Sequence, residues 1–199
     1  GDYIINCIGA IPQRTNEFDI NWELPIWLDL HAPCRVIHPG TDCEMDDDIY
    51  GISKSLGEVS SNRIMNLRCS IIGKEKKTKL SLLSWFLSNQ TPNINGFTNH
   101  YWNGLTTPSL ARIVYGIIKN KSFKQGLFNI VPKDTVTKYT LLKIFNKKFF
   151  GNKKNIIPIK NLLKINRILS TDNINFNKKL WKNAGYSSVP TIKDMIEDL

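Results

Sequence analysis

Three short aliphatic runs divide the first 73 residues: DYIINCIG, CRVIHPGT and RIMNLRCSIIG. Each is apolar nearly throughout and stops at a glycine or a Pro-Gly pair, the pattern of a strand buried on both faces. Two helical stretches separate them. FDINWELPIWLDLHA spaces Ile20, Leu24, Trp27, Leu28 and Leu30 as a helix would, despite Pro25. The segment from about Asp46 to Ser60 reads as a second helix, with acids in its first turn where they suit the helix dipole. Strand, helix, strand, helix, strand at this spacing leaves one economical solution, βαβ units building a parallel sheet.

The second half changes character. LSLLSWFLSN and PSLARIVYGIIKN read as amphipathic helices, joined by the Asn/Gly-rich connector TPNINGFTNHYWNGLTT. GLFNIV reads as a strand, and TKYTLLKIFNKKFFG as a helix with Gly151 as its C-cap. STDNINFNKKLWKNAG and TIKDMIEDL close the chain as short helices. With no repeat and no long linker, the expectation is a parallel-sheet half over 1–73 and a smaller mixed α/β lobe over 74–199, some of whose elements return to the main sheet.

Composition narrows the function classes. At 199 residues and 41% hydrophobic, the chain can build one real core. No apolar run approaches the ~18 residues of a membrane span, so no membrane partner is expected. The opening GDYIINCIGA lacks a basic leader, and its first residue is Gly rather than Met, as in a piece of a longer protein. Cys7, Cys34, Cys43 and Cys69 show no C-x-x-C spacing and read as buried, reduced thiols of a cytoplasmic protein. His31, His38 and His100 form no ligand-like pair, so no metal is expected. The net charge of +10 is uneven: residues 1–100 hold 9 basic and 12 acidic residues, net −3, and 101–199 hold 18 and 5, net +13. A basic half can serve nucleic acid, an acidic membrane surface or a diphosphate ligand. The lysines are dispersed without a nucleic-acid motif, and a solvated lysine surface is the simplest account.

The chemistry concentrates at IYGISKSLGE. Tyr50 and Lys54 stand four apart and share a helix face. A phenol ionises near pH ~10, and a neighbouring ammonium favours its phenolate, which makes the pair a tunable general acid/base. Thr41 lies at the carboxyl end of the preceding strand, where open α/β sheets bind ligands, and its hydroxyl can hydrogen-bond a substrate carbonyl.

Here the sequence resembles the extended short-chain dehydrogenase/reductases, and among them the dTDP-4-dehydrorhamnose reductase-like, sugar-nucleotide-binding family. The pieces that carry the likeness run in order: INCIGAIPQ, INWELP, RVIHPGTDC, YGISKSLGE, LRCSIIG, LLSWFL, GFTNHYWNGLTT and LARIV. The resemblance implies a Rossmann-like NAD(P)-binding sheet over 1–73 and a mainly substrate-binding lobe over 74–199. It implies NADP or NAD as cofactor, a nucleotide-sugar substrate and a cytoplasmic reductase, and it is compatible with a homodimer. Tyr50 is then the proton donor to the carbonyl oxygen, Lys54 its partner and the holder of the nicotinamide ribose, and Thr41 the residue that orients the carbonyl. Asn6 and Gly9 match the Asn-x-x-Gly turn that lines the cofactor site, and Asn21 matches an asparagine in the helix behind it. Trp102, Asn103 and Thr106 match the segment that closes on the sugar nucleotide, with Asp42 beside them as a substrate contact. Other accounts stand alongside: Asn6 can satisfy strand-end backbone groups, Trp102 can be core, and Arg68 fits a structural ion pair better than a substrate contact.

Two departures qualify the likeness. Nothing in the chain reads G-x-x-G-x-x-G, the turn whose helix N-terminus holds the pyrophosphate. A βαβ unit takes ~30 residues, so one or two such units are expected ahead of Gly1. Second, only nine positions separate Thr41 from Tyr50, and DCEMDDDIYG looks like the family's loop cut short, with Gly40-Thr41 replacing its Ser-Thr. These features favour a competing reading, a non-catalytic sugar-nucleotide-binding or regulatory relative, whereas the intact Thr41, Tyr50 and Lys54 favour the reductase. A third reading is an NAD-dependent epimerase or dehydratase with Asp42 or Glu44 moving protons.

Overall fold

The structure, a computed structural model, describes residues 2–45 and 48–199, with Glu44 and Met45 described by their backbone alone. Asp46 and Asp47 of the expected acidic turn lie outside the described residues.

The three aliphatic runs become β1 (Tyr3–Ile5), β2 (Arg35–Pro39) and β3 (Ile64–Arg68), separated by α1 (Ile20–His31) and α2 (Ile49–Leu56). All pairings in their sheet are parallel, with Ile5 opposite Ile37 and His38 opposite Asn66. Alternation along the strands gives the sheet two apolar faces. Val36 and Ile64 are fully buried under Leu28 and Ala32, with Ile4, Leu24 and Val59 at the margin. Ile37, Met65 and Leu67 point the other way, into the main core, with Ile113, Ile117, Phe145 and Trp181.

Local chemistry sets where the helices start and how closely they pack. Asp48 caps α2 by accepting the Gly51 N–H at 2.6 Å, so the helix begins at Ile49 and is shorter than the expected Asp46–Ser60. Pro25 cannot donate to the Asn21 carbonyl. The chain at Gly57 packs against that oxygen so tightly that a Cβ there would overlap it. This contact brings α1 onto α2.

β4 (Ile71–Ile72) breaks away from β3, so RIMNLRCSIIG is two strands rather than the single one expected. α3 (Leu82–Ser88) follows, and the Asn/Gly-rich connector then folds into β5 (Asn93–Phe97), β6 (His100–Trp102) and β7 (Leu105–Thr106). β7 pairs with β4 and leads into α4 (Thr107–Lys119), capped by Thr106. β8 (Gly126–Asn129) then returns to the main sheet beside β3. After β9 (Val136–Thr137) comes α5 (Lys138–Phe150), which ends at Gly151 in the left-handed region, φ +56°, as expected of its C-cap. β10 (Asn155–Ile159) pairs with β5 and β11 (Ile165–Arg167) with β6, two strands the sequence reading left out. The chain closes with α6 (Ile174–Asn183) and α7 (Ile192–Glu197). Among the described residues no helix is long and apolar enough to cross a membrane.

Candidate active site

The carboxyl ends of β1, β2 and β3, roofed by α1 and α2, gather most of the residues that the sequence singled out. One step beyond the apolar row Ile4, Val36 and Ile64, the same face carries Asn6, His38 and Asn66, each at most 5% exposed. The Asn6 amide lies 3.0 Å from His38 Nδ1, and its Oδ1 accepts the Ile8 N–H at 3.1 Å. Asn21 closes the other end of the same turn. Its Oδ1 accepts the Ala10 N–H at 2.7 Å, while its Nδ2 donates to the Ala10 carbonyl and to Ser53 Oγ. The turn after β1 is thus fixed to the sheet by Asn6 and to both helices by Asn21.

Lys54 is only 8% exposed. A buried ammonium is costly unless it is paired or hydrogen-bonded. A Cβ at Gly9 would stand 3.5 Å from Lys54 Nζ and 3.1 Å from Asn21 Oδ1, so the bare glycine lets the turn pack closely on both side chains. The His38 imidazole is held neutral: burial, and then the Lys54 charge, pull its pKa from 6.5 down to about 4. Tyr50 stands one turn earlier on α2, half-buried, with its ring edge-on to Phe18 at 5.7 Å. Its carbonyl accepts the Ser53 hydroxyl at 2.7 Å.

Thr41 follows β2 by two residues and opens a 3-10 turn, Asp42–Met45, that packs on α2. Thr41 Oγ1 donates to Asp42 Oδ1 at 3.3 Å and accepts the Cys43 N–H at 3.3 Å. Asp42 is 8% exposed, and its Oδ2 has no hydrogen-bond partner among the described residues. The structure therefore brings Asn6, Gly9, Thr41, Asp42, Tyr50 and Lys54 to one end of the sheet.

The other three substrate candidates are occupied elsewhere. Asn103 is buried with both amide ends on the Leu169 backbone, donating to its carbonyl at 2.8 Å and accepting its N–H at 2.9 Å. Thr106 is 1% exposed and caps α4 through the Ser109 N–H. Trp102 packs on the main core and donates its indole N–H to Ser70 Oγ at 2.8 Å. Asn103 and Thr106 fasten the second half of the chain, and Trp102 ties it to Ser70 in the first. Arg68 makes the structural ion pair expected of it, a two-pronged contact with Glu58 in which Nε donates to Oε1 at 2.9 Å.

Sequence reasoning missed two residues. Arg167, at the end of β11, donates to Cys43 Sγ across 124 positions of sequence, and nothing local signals such a contact. His38 had a readable signal. Ile4-Ile5-Asn6, Val36-Ile37-His38 and Ile64-Met65-Asn66 repeat two apolar residues and a polar one on three adjacent strands. The cysteines are also less uniform than expected: Cys69 is buried, Cys34 and Cys43 are half-buried and Cys7 is exposed.

This architecture is a Rossmann-like fold. Its likeness to particular solved structures is close in shape and distant in sequence. The dTDP-4-dehydrorhamnose reductase of Clostridium acetobutylicum superposes with a TM-score of 0.70 at 15% identity, covering 99% of this chain and 79% of that one. The Bacillus anthracis dTDP-4-dehydrorhamnose reductase, in complex with NADP, gives 0.69 at 14% identity with the same coverage. The Bacillus anthracis dTDP-glucose 4,6-dehydratase, in complex with NAD, gives 0.68 at 11%, covering 99% of this chain and 70% of that one. No family model and no curated protein matches the chain.

Proposed function

We propose that the chain is the catalytic part of an NAD(P)H-dependent reductase of a nucleotide-activated keto-deoxysugar, serving surface polysaccharide synthesis in the cytoplasm. The observation that carries this reading is the buried Lys54 one turn from Tyr50, packed close to the Gly9 turn and on the helix that the Thr41 turn packs against. Residues 1–73 take the cofactor side and 74–199 mainly the substrate side. The site fits the nicotinamide end of NADP or NAD: the Lys54 ammonium suits a ribose, and Asn6 and Asn21 hold the turn beside it. When bound, the reduced nicotinamide supplies a hydride to the carbonyl carbon. Tyr50 Oη donates its proton to the carbonyl oxygen, and Lys54 lowers the cost of the phenolate left behind. Thr41 Oγ1 orients the same oxygen. Asp42, hydrogen-bonded to Thr41, lies on the substrate side of the same turn. Trp27 on α1 and Ile49, Ile52 and Leu56 on α2 are exposed and give a homodimer an apolar surface to bury.

The buried Asp42 carboxylate next to Thr41 favours a second reading, a dehydratase that retains its NAD, and the likeness to the 4,6-dehydratase supports it. Nicotinamide fluorescence during titration with NADPH and NADH, followed by addition of a dTDP-4-keto-6-deoxysugar, separates these. A reductase consumes the reduced cofactor in proportion to sugar. A dehydratase leaves the reduced cofactor unconsumed with this sugar, which is its product, and instead converts a dTDP-hexose to it with loss of water and no net use of NAD. Failure to bind either cofactor, with folding intact by circular dichroism and no NAD released on denaturation, refutes both and leaves a non-catalytic relative.

A further inference from the structure

The buried row Asn6, His38 and Asn66 carries an unambiguous hydrogen-bond polarity. The Ile8 N–H donates to Asn6 Oδ1, which fixes that end of the amide as the acceptor. The other end, Nδ2, faces His38 Nδ1 at 3.0 Å and can only donate. His38 Nδ1 must therefore present its lone pair, and the ring proton sits on Nε2. On the far side Asn66 Nδ2 donates to the Val59 carbonyl at 2.9 Å, while His38 Nε2 and Asn66 Oδ1 are both buried without a hydrogen-bond partner among the described residues, so the assignment of the proton rests on the Asn6 contact.

We infer that His38 is a positioning residue of the candidate site. Its Nδ1 lone pair holds Asn6 in the one amide orientation that lets Oδ1 take the Ile8 N–H, and so sets the Asn6–Ala10 turn. The opposite tautomer would put two donors face to face. The amide would then rotate, and the Ile8 N–H, in a residue 61% exposed, would lose its internal acceptor to solvent. The imidazole is also neutral under ordinary conditions, because burial and the Lys54 charge both oppose its protonation. The consequence for cofactor binding rests on the reading of this turn as the nicotinamide-facing one.

The test uses the whole protein, with His38→Leu removing the acceptor and His38→Asn replacing it by an oxygen where Nδ1 stood. In long-range nitrogen–proton spectra of the wild type near neutral pH, His38 is expected as the Nε2–H tautomer. A proton on Nδ1, or an imidazolium, overturns the inference. Hydrogen exchange of the Ile8 amide should speed up about fivefold in His38→Leu, the worth of one ordinary hydrogen bond, and return to within about twofold of wild type in His38→Asn. Equal exchange in wild type and His38→Leu overturns it. If His38→Leu does not fold, the tautomer and the His38→Asn exchange rate still decide. The NADPH dissociation constant should rise about fivefold in His38→Leu and recover in His38→Asn. A protein that binds no NADPH refutes the reductase reading alone, because the tautomer and the exchange are measured without cofactor.

Discussion

Acidification should cost this protein stability, and a large part of the loss should come from His38. In the folded chain the imidazole is 2% exposed and titrates at about 4, against 6.5 in the open chain. The sign follows from proton uptake. Below pH 6.5 the unfolded chain binds a proton that the folded chain refuses, so unfolding is favoured, and the loss ends only below the folded value. The stabilisation is therefore complete at neutral pH and disappears across the window from 6.5 to about 4. The gap is worth roughly 3 kcal/mol in all, of which about 2 kcal/mol is gone by about pH 5. Urea denaturation of wild type and His38→Asn from neutral pH to about pH 4.5 isolates it, since the carboxylates titrate alike in both. Wild type should lose about 2 kcal/mol more than the variant by about pH 5. Parallel loss in the two proteins would refute the argument, because it would mean that His38 takes up its proton as readily folded as unfolded.

Other consequences are as direct. Arg68→Met leaves the Glu58 carboxylate, with a side chain 9% exposed, without its partner and should cost about 3–5 kcal/mol in denaturant unfolding. Asn103→Ala strands the Leu169 N–H and carbonyl and should cost roughly 2–4 kcal/mol. NADPH affinity should not change in that variant, and a selective loss of substrate binding with stability intact would restore Asn103 as a ligand contact. Thr106→Ala removes the α4 cap and should cost about 1 kcal/mol, read as a drop in melting temperature. Ile49→Lys should shift sedimentation toward monomer if the exposed faces of α1 and α2 pair two copies.

The first half of the fold was legible because a parallel sheet buried on both faces writes itself as uninterrupted aliphatic runs. RVIHP and IMNLR could hardly be read otherwise. The second half hid its strands. NINGF alternates exposed and buried residues, but one of its buried positions is Gly96, and HYW is too short to show a period, so in an Asn/Gly-rich segment the composition reads as loop. Their order comes from partners far along the chain, Asn155 for Asn93 and Ile165 for His100. The candidate site divides the same way. Tyr50 and Lys54 lie on one helix, and a four-residue spacing suffices to see them. Asn103 and Thr106 match a sequence pattern, but a pattern cannot tell a ligand contact from a cap or a backbone clamp. Distances can, and here they favour the clamp. His38 faces Asn6 across two strands, a relation that appears only once the register is known.

The central claim is that Tyr50 donates the proton that completes carbonyl reduction. Oxidation of NADPH with a dTDP-4-keto-6-deoxysugar, followed by nicotinamide absorbance in wild type and Tyr50→Phe, tests it most directly. The account predicts turnover in wild type and a loss of about a hundredfold or more in Tyr50→Phe, with NADPH affinity unchanged. Turnover by Tyr50→Phe at the wild-type rate, or none by a wild-type protein saturated with NADPH, would contradict it.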